Sequence, residues 1–199
     1  GAGGSSSGGC PVFPADNAWN TDISGAPVDD LSDTYVATIG ADAHLHPDFG
    51  DTFGIPFVHV DGSVSKSPVT FDDSPEESDV GPYPIPANPP IEQDGDAHLL
   101  MVHGGECKLY ELYATHHESD GWHAGSGAIW DLASNAMRPA GWTSADAAGL
   151  PIYPGLVRRE EAASGEIRHA FRFTVPVTQR AYVAPASHFA SDDTDASLP

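Results

Sequence analysis

Residues 97–114 read "AHLLMVHGGECKLYELYA". Two apolar runs flank the Gly104-Gly105 pair, and glycines supply the positive φ values that a tight hairpin turn requires. The stretch predicts a β-hairpin, with strands over 97–103 and 107–114. A two-residue loop pairs His103 with Glu106 and sets His98 opposite Glu111, close enough for a carboxylate to orient an imidazole. On the second strand Cys107, Leu109, Glu111 and Tyr113 share one side. If Cys107 is disulfide-bonded, that side faces the core, and burial raises the pKa of Glu111 toward what a general acid needs at neutral pH. The opposite assignment, with Tyr110 and Leu112 inward, leaves Glu111 in water.

Working outward, period-two alternation recurs in 55–60, 68–71, 127–132, 155–162, 166–175 and 181–184. Short strands with little helix predict a mainly-β chain, an antiparallel β-sandwich or barrel-like domain with one or two short helices. One helix is expected near 31–39, with Leu31, Tyr35, Val36 and Ile39 on one face, Ser32 or Asp33 as cap and Gly40 as stop. Six prolines between Pro75 and Pro90 mark a long loop that drapes over the sheet without joining it. Residues 143–149, "TSADAAG", read as a short helical turn, Thr143 and Asp146 forming a capping-box pattern. Ser144 and Asp146 then satisfy backbone donors there, with chemistry as the sharper alternative.

The 199 residues suit one domain over 10–199, preceded by a flexible Gly/Ser linker over 1–9. Cys10 and Cys107 are the two cysteines of the chain. A single intramolecular disulfide between them closes a long loop, worth about 4–5 kcal/mol in the chain-entropy picture, and points to an oxidising compartment. No apolar run is long enough to span a bilayer. A formal charge of −21, from 29 acidic and eight basic residues, repels nucleic acid. The run 72–79, "DDSPEESD", is either a solvated acidic loop or a Ca²⁺ site without ordered ligand spacing.

Alternate positions in "HLHPDFG" (44–50) let an extended backbone present His44, His46 and Asp48 to one transition metal. In "EIRHAFRFTV" (166–175), Arg168 and Arg172 share a side with Glu166, either an anion-binding face or a solvated ladder. His169 lies on the apolar side with Phe171 and Phe173, as a core histidine or a catalytic one.

Beyond these local readings, "FPADNAWN" (13–20), "HPDFG" (46–50), "ESDVGPYPIP" (77–86), "LYELYA" (109–114), "NAMRPAGWTSADAAGLPIYPGL" (135–156) and "GEIRHAFRFTV" (165–175) resemble a family of exported bacterial proteins. The likeness runs over most of the chain from Phe13 onward. It implies export, with no activity and no catalytic residue attached. Its members extend past the equivalent of Pro199, so a further strand is expected there.

The leading expectation is a secreted or cell-surface enzyme that cleaves a polysaccharide, a glycoside hydrolase. Glu111 and His98 would supply acid/base chemistry, with Asp131, Asp146 or Asp48 as second carboxylate and His169 as a further candidate. Trp130, Trp142, Arg168 and Arg172 would bind substrate, Trp19 and Trp122 adding aromatic surface. One alternative is a non-catalytic carbohydrate-binding or surface β-domain tethered by the linker. Another is a metal-dependent enzyme built on His44, His46 and Asp48 with His98 and Glu111, and a divalent metal, calcium or a transition metal, as cofactor.

Overall fold

The computed structural model describes residues 6–7, 9–93 and 95–199. Residues 1–5 and 8 of the expected 1–9 linker lie outside the described residues. β1 (Ser6–Ser7) pairs antiparallel with β2 (Cys10–Pro11). There follow α1 (Ser32–Ile39), α2 (Gly50–Phe53), β3 (Phe57–Val60), β4 (Val69–Phe71), β5 (Leu99–His103), β6 (Lys108–Tyr113), β7 (His116–Glu118), β8 (Gly121–Ala124), β9 (Ser126–Asp131) and α3 (Arg159–Ser164). The domain is mainly β and sandwich-like, without barrel closure among the described residues. No helix among them is long and apolar enough to cross a membrane.

One sheet has the order β3-β5-β6-β9 and the other β4-β8-β7. The expected hairpin is the centre of the first. Each sheet also contains one parallel pair, β3 with β5 and β4 with β8. All five residues of β5 are buried, because the sheet is covered on both sides. This explains why "LLMVH" reads as a continuous apolar run and not as an alternation. One face packs Leu100, Val102, Leu109 and Trp130 against Phe13, Ile152 and Tyr153. The other packs Leu99, Met101 and Leu112 against Tyr83 and Ile85, so the proline-rich loop does cover the sheet.

The register differs from the two-residue-loop expectation. His103 pairs with Lys108 and Leu100 with Glu111, so Gly104 to Cys107 form a four-residue loop. Cys107 sits at φ 51°, outside the extended region, and is bonded to Cys10. Cys107 O still accepts the Leu132 N–H at 2.8 Å, next to the Lys108–Asp131 pair. Glu106 binds Lys66 at 2.7 Å and the Tyr110 hydroxyl at 2.7 Å. His98 therefore does not face Glu111.

The C-terminal strands expected over 155–162, 166–175 and 181–184 do not form. Residues Arg159–Ser164 are helical, Glu161 reaching back to the Arg158 N–H at 3.1 Å. The outer edge of β9 is already occupied: Asp79 donates its N–H to Gly127 O and accepts that of Ile129 through Oδ2. Residues 166–175 attach elsewhere through isolated bonds, Ala170 N–H to Trp19 O and Arg172 N–H to Gly155 O. Helix α1 forms where expected but without a side-chain cap and with no buried residue.

Candidate functional site

Glu111 is completely buried. Its Oε1 accepts the backbone N–H groups of Ile152 and Tyr153 at 3.0 and 2.8 Å, and Oε2 accepts the Trp130 indole N–H at 3.1 Å. Desolvation pushes its pKa up to about 7, against the opposing pull of these three donors. The raised pKa expected for a core-facing carboxylate is present, but the group lines none of the three clefts described below. Its carboxylate fastens the 152–153 turn to the sheet. Trp130, 3% exposed, is spent on the same contact and offers no platform to a sugar.

Residues 143–150 form a turn stitched by side chains, in which the Gly149 N–H to Asp146 O bond at 2.9 Å is a single i+3→i turn and no helix is formed. Ser144 Oγ donates to Leu150 O at 2.6 Å and accepts the Asp146 N–H at 2.9 Å. Asp146 Oδ1 accepts the Ala148 N–H at 2.9 Å, while Oδ2 binds the Arg172 guanidinium at 2.6 Å. Local backbone bonding thus accounts for Ser144 and half of Asp146. The turn also fixes His98, whose Nε2 meets Ala145 O at 3.1 Å and whose Nδ1 meets Glu92 Oε2 at 2.6 Å. Glu92 thus takes the partner role that the two-residue loop assigned to Glu111.

A cleft of about 920 Å³ opens over this turn, lined by His98, Tyr113, Asp146, Phe171, Arg172 and Phe173 among others. Three residues singled out from sequence, His98, Asp146 and Arg172, therefore converge. The bond to Asp146 uses one of the five N–H donors of Arg172. Phe171 and Phe173 are 53% and 65% exposed. The cleft combines apolar rings with a guanidinium and carboxylates, a lining suited to a ligand with both C–H faces and hydroxyls.

The other expected site residues are dispersed. Asp131 is exposed and accepts the Ala133 N–H in a turn at 2.9 Å. Trp142 is half-buried, with the Arg138 guanidinium 5.5 Å from its ring centre. Arg168 pairs with Glu166 at 2.9 Å in solvent, the ladder reading, and has parted from Arg172. His169 binds Glu161 at 3.1 Å, and it lines a small cleft of about 170 Å³ with Arg158, Arg168 and Trp19. Asp48 lines a third cleft, about 1140 Å³, with Phe49 and Arg159. It binds His46 at 2.8 Å in solvent; His44 is exposed and joins no group of three close ligand atoms among the described residues. Among the described residues the acidic run 72–79 supplies only Asp72 to a group of three close ligand atoms. Asp79 pairs with Arg138 at 2.6 Å and Glu77 accepts the Thr143 N–H at 2.9 Å.

A cluster not singled out from sequence lies on the second sheet. Asp72, His116 and His123 bring one ligand atom each within 4.8 Å of one another, as do Glu118, Asp120 and His123. The legible signal is Ser119-Asp120 ahead of Gly121 between two short polar runs: a two-residue turn at Ser119-Asp120 pairs Glu118 with Gly121 and sets His116 opposite His123. The contribution of Asp72, 51 residues from His123, has no local signal.

No family model matches this chain, and no curated protein or solved structure proved similar to it.

Proposed function

We propose that the chain is an exported carbohydrate-binding β-domain whose ligand lies in the cleft over residues 143–148. The observation that carries this reading is the Arg172–Asp146 pair at 2.6 Å beside the exposed rings of Phe171 and Phe173. Sugars offer C–H faces to aromatic rings and hydroxyl pairs to charged planar groups, and both kinds of partner line this cleft. Binding is favoured over hydrolysis because Glu111, the strongest acid/base candidate, holds the fold from a fully enclosed position. The Cys10–Cys107 disulfide and the resemblance to exported bacterial proteins support an oxidising, extracellular setting.

The test is binding of the oxidised chain to a panel of soluble and insoluble polysaccharides. R172A and D146N should each weaken the best binder at least tenfold, and F171A severalfold. No binding across the panel, or binding indifferent to R172A and D146N, overturns the proposal. Release of reducing ends that D146N abolishes would overturn it in favour of glycoside hydrolysis.

A further inference from the structure

The geometry points to a site for a divalent transition-metal ion on the outer face of the β4-β8-β7 sheet, held by His116, His123 and Asp72. It is independent of the carbohydrate cleft. His116 and His123 are direct cross-strand partners, and Thr70 pairs with His123 on the other side. Period two then carries Asp72, just past the end of β4, to the same face. His117 and Trp122, the next cross-strand pair, turn the opposite way, and Trp122 packs on the core. Three adjacent strands thus present three ligands to one point.

The distances suit coordination. His123 Nδ1 lies 3.3 Å from Asp72 Oδ1, and His116 Nε2 lies 3.8 Å from Asp72 Oδ2. A tetrahedral Zn²⁺ with bonds of about 2.1 Å separates its ligand atoms by about 3.4 Å, so the spacing fits. The two imidazoles lie stacked, ring centres 5.4 Å apart and 27° between planes, and closure requires a ring rotation that brings both lone pairs to the ion. The remaining ring nitrogens are already engaged. His116 Nδ1 meets Ala114 O at 2.9 Å, and a carbonyl only accepts, so the proton sits on Nδ1 and the Nε2 lone pair faces the site. On His123, Nε2 meets Asp120 Oδ1 at 3.1 Å. A proton there leaves Nδ1 free toward Asp72, the carboxylate–histidine–metal arrangement that orients a ligand. Two imidazoles and a carboxylate select Zn²⁺, Cu²⁺ or Ni²⁺ over Ca²⁺ or Mg²⁺. Side chains of His116 and Asp72 are 48% and 45% exposed, which keeps a fourth position open to water or an outside donor. Glu118 Oε1, 3.4 Å from His116 Nε2, stands beside it.

The experiment is calorimetric titration of tag-free, chelator-treated protein with Zn²⁺, joined to ¹⁵N NMR of the histidine side chains. One Zn²⁺ per chain is expected, with His116 metallated at Nε2 and His123 at Nδ1. H116A and H123A should each weaken binding at least 100-fold, and H46A should leave it unchanged. D120N should weaken it about 10–100-fold and redistribute the His123 tautomers in the absence of Zn²⁺. H116Q and H123Q repeat the test with side chains of similar size should either alanine variant fail to fold. Absence of uptake at millimolar Zn²⁺, equal affinity in the H116 and H123 variants, or metallation at the other nitrogens overturns the site.

Discussion

Residues 108–113 and 166–175 carry the same alternation, and each places a glutamate and aromatic rings at regular spacing, yet only the first becomes a strand. β6 is paired on both edges, with β5 and β9, and its faces meet two separate apolar clusters. Residues 166–175 pair with no strand and attach through single bonds to Trp19 and Gly155, while Asp79 fills the outer edge of β9; Phe171 and Phe173 stay in solvent. Alternation describes which faces a strand would have. Whether it pairs is decided by a free row of N–H and C=O groups elsewhere in the chain. The unpaired segment is left to line a cleft, and the paired one holds the fold.

The sharpest break of this contrast is E111A. Removing the carboxylate strands the N–H groups of Ile152, Tyr153 and Trp130 in a dry interior and opens a cavity, and about 3–5 kcal/mol should be lost in urea unfolding. A loss under about 1 kcal/mol would mean that the 152–153 turn stands without Glu111. Next, C10S/C107S should cost about 2–4 kcal/mol in the same assay, because the bridge spans 97 residues and closes the N-terminal segment over the hairpin.

A pH series sharpens the comparison further. The folded pKa of Glu111, pushed up to about 7, exceeds the ordinary unfolded value. The folded state therefore holds the extra proton, and the stability from this group is complete below about pH 4.5 and lost as pH rises through about 7. The chain should lose on the order of 2–3 kcal/mol relative to E111Q across that window. Parallel pH profiles for the two proteins would remove burial as the ruling influence on Glu111. The smallest effect belongs to the other segment. F173A should change stability by no more than about 0.5 kcal/mol, as for an exposed side chain without a cap or core contact. A cost above about 2 kcal/mol would show that 166–175 packs more tightly than its exposure implies.

Some of the site was legible and some was not, for reasons visible in single residues. An inward Glu111 is one of two alternatives, resting on a disulfide at Cys107 as a residue of the same strand face; in the structure Cys107 precedes the strand and both faces of β6 are buried. Its partner was not legible, because the loop closes after Cys107, not after Gly105, and two extra residues change every facing pair. Cys107 closes the loop in a positive-φ conformation, and Glu92 reaches His98 instead. Arg172 and Asp146 were both candidates, but their pairing across 26 residues had no local mark. In the His116, His123 and Asp72 cluster, Asp72 had no local mark beyond the acidic run that contains it, because that ligand follows β4, a parallel neighbour of β8.

By itself the sequence determined that this is a mainly-β chain built on one central hairpin, bridged by its two cysteines and covered by a proline-rich loop. Those features rest on local periodicity, turn chemistry and a choice of one possible cysteine pair. Tertiary structure alone decided the hairpin register, the two parallel pairings, the failure of 166–175 to join a sheet, and which charged groups meet. Such contacts depend on edges and faces supplied by distant segments, and hydrogen-bonding groups already taken by one partner are closed to the next.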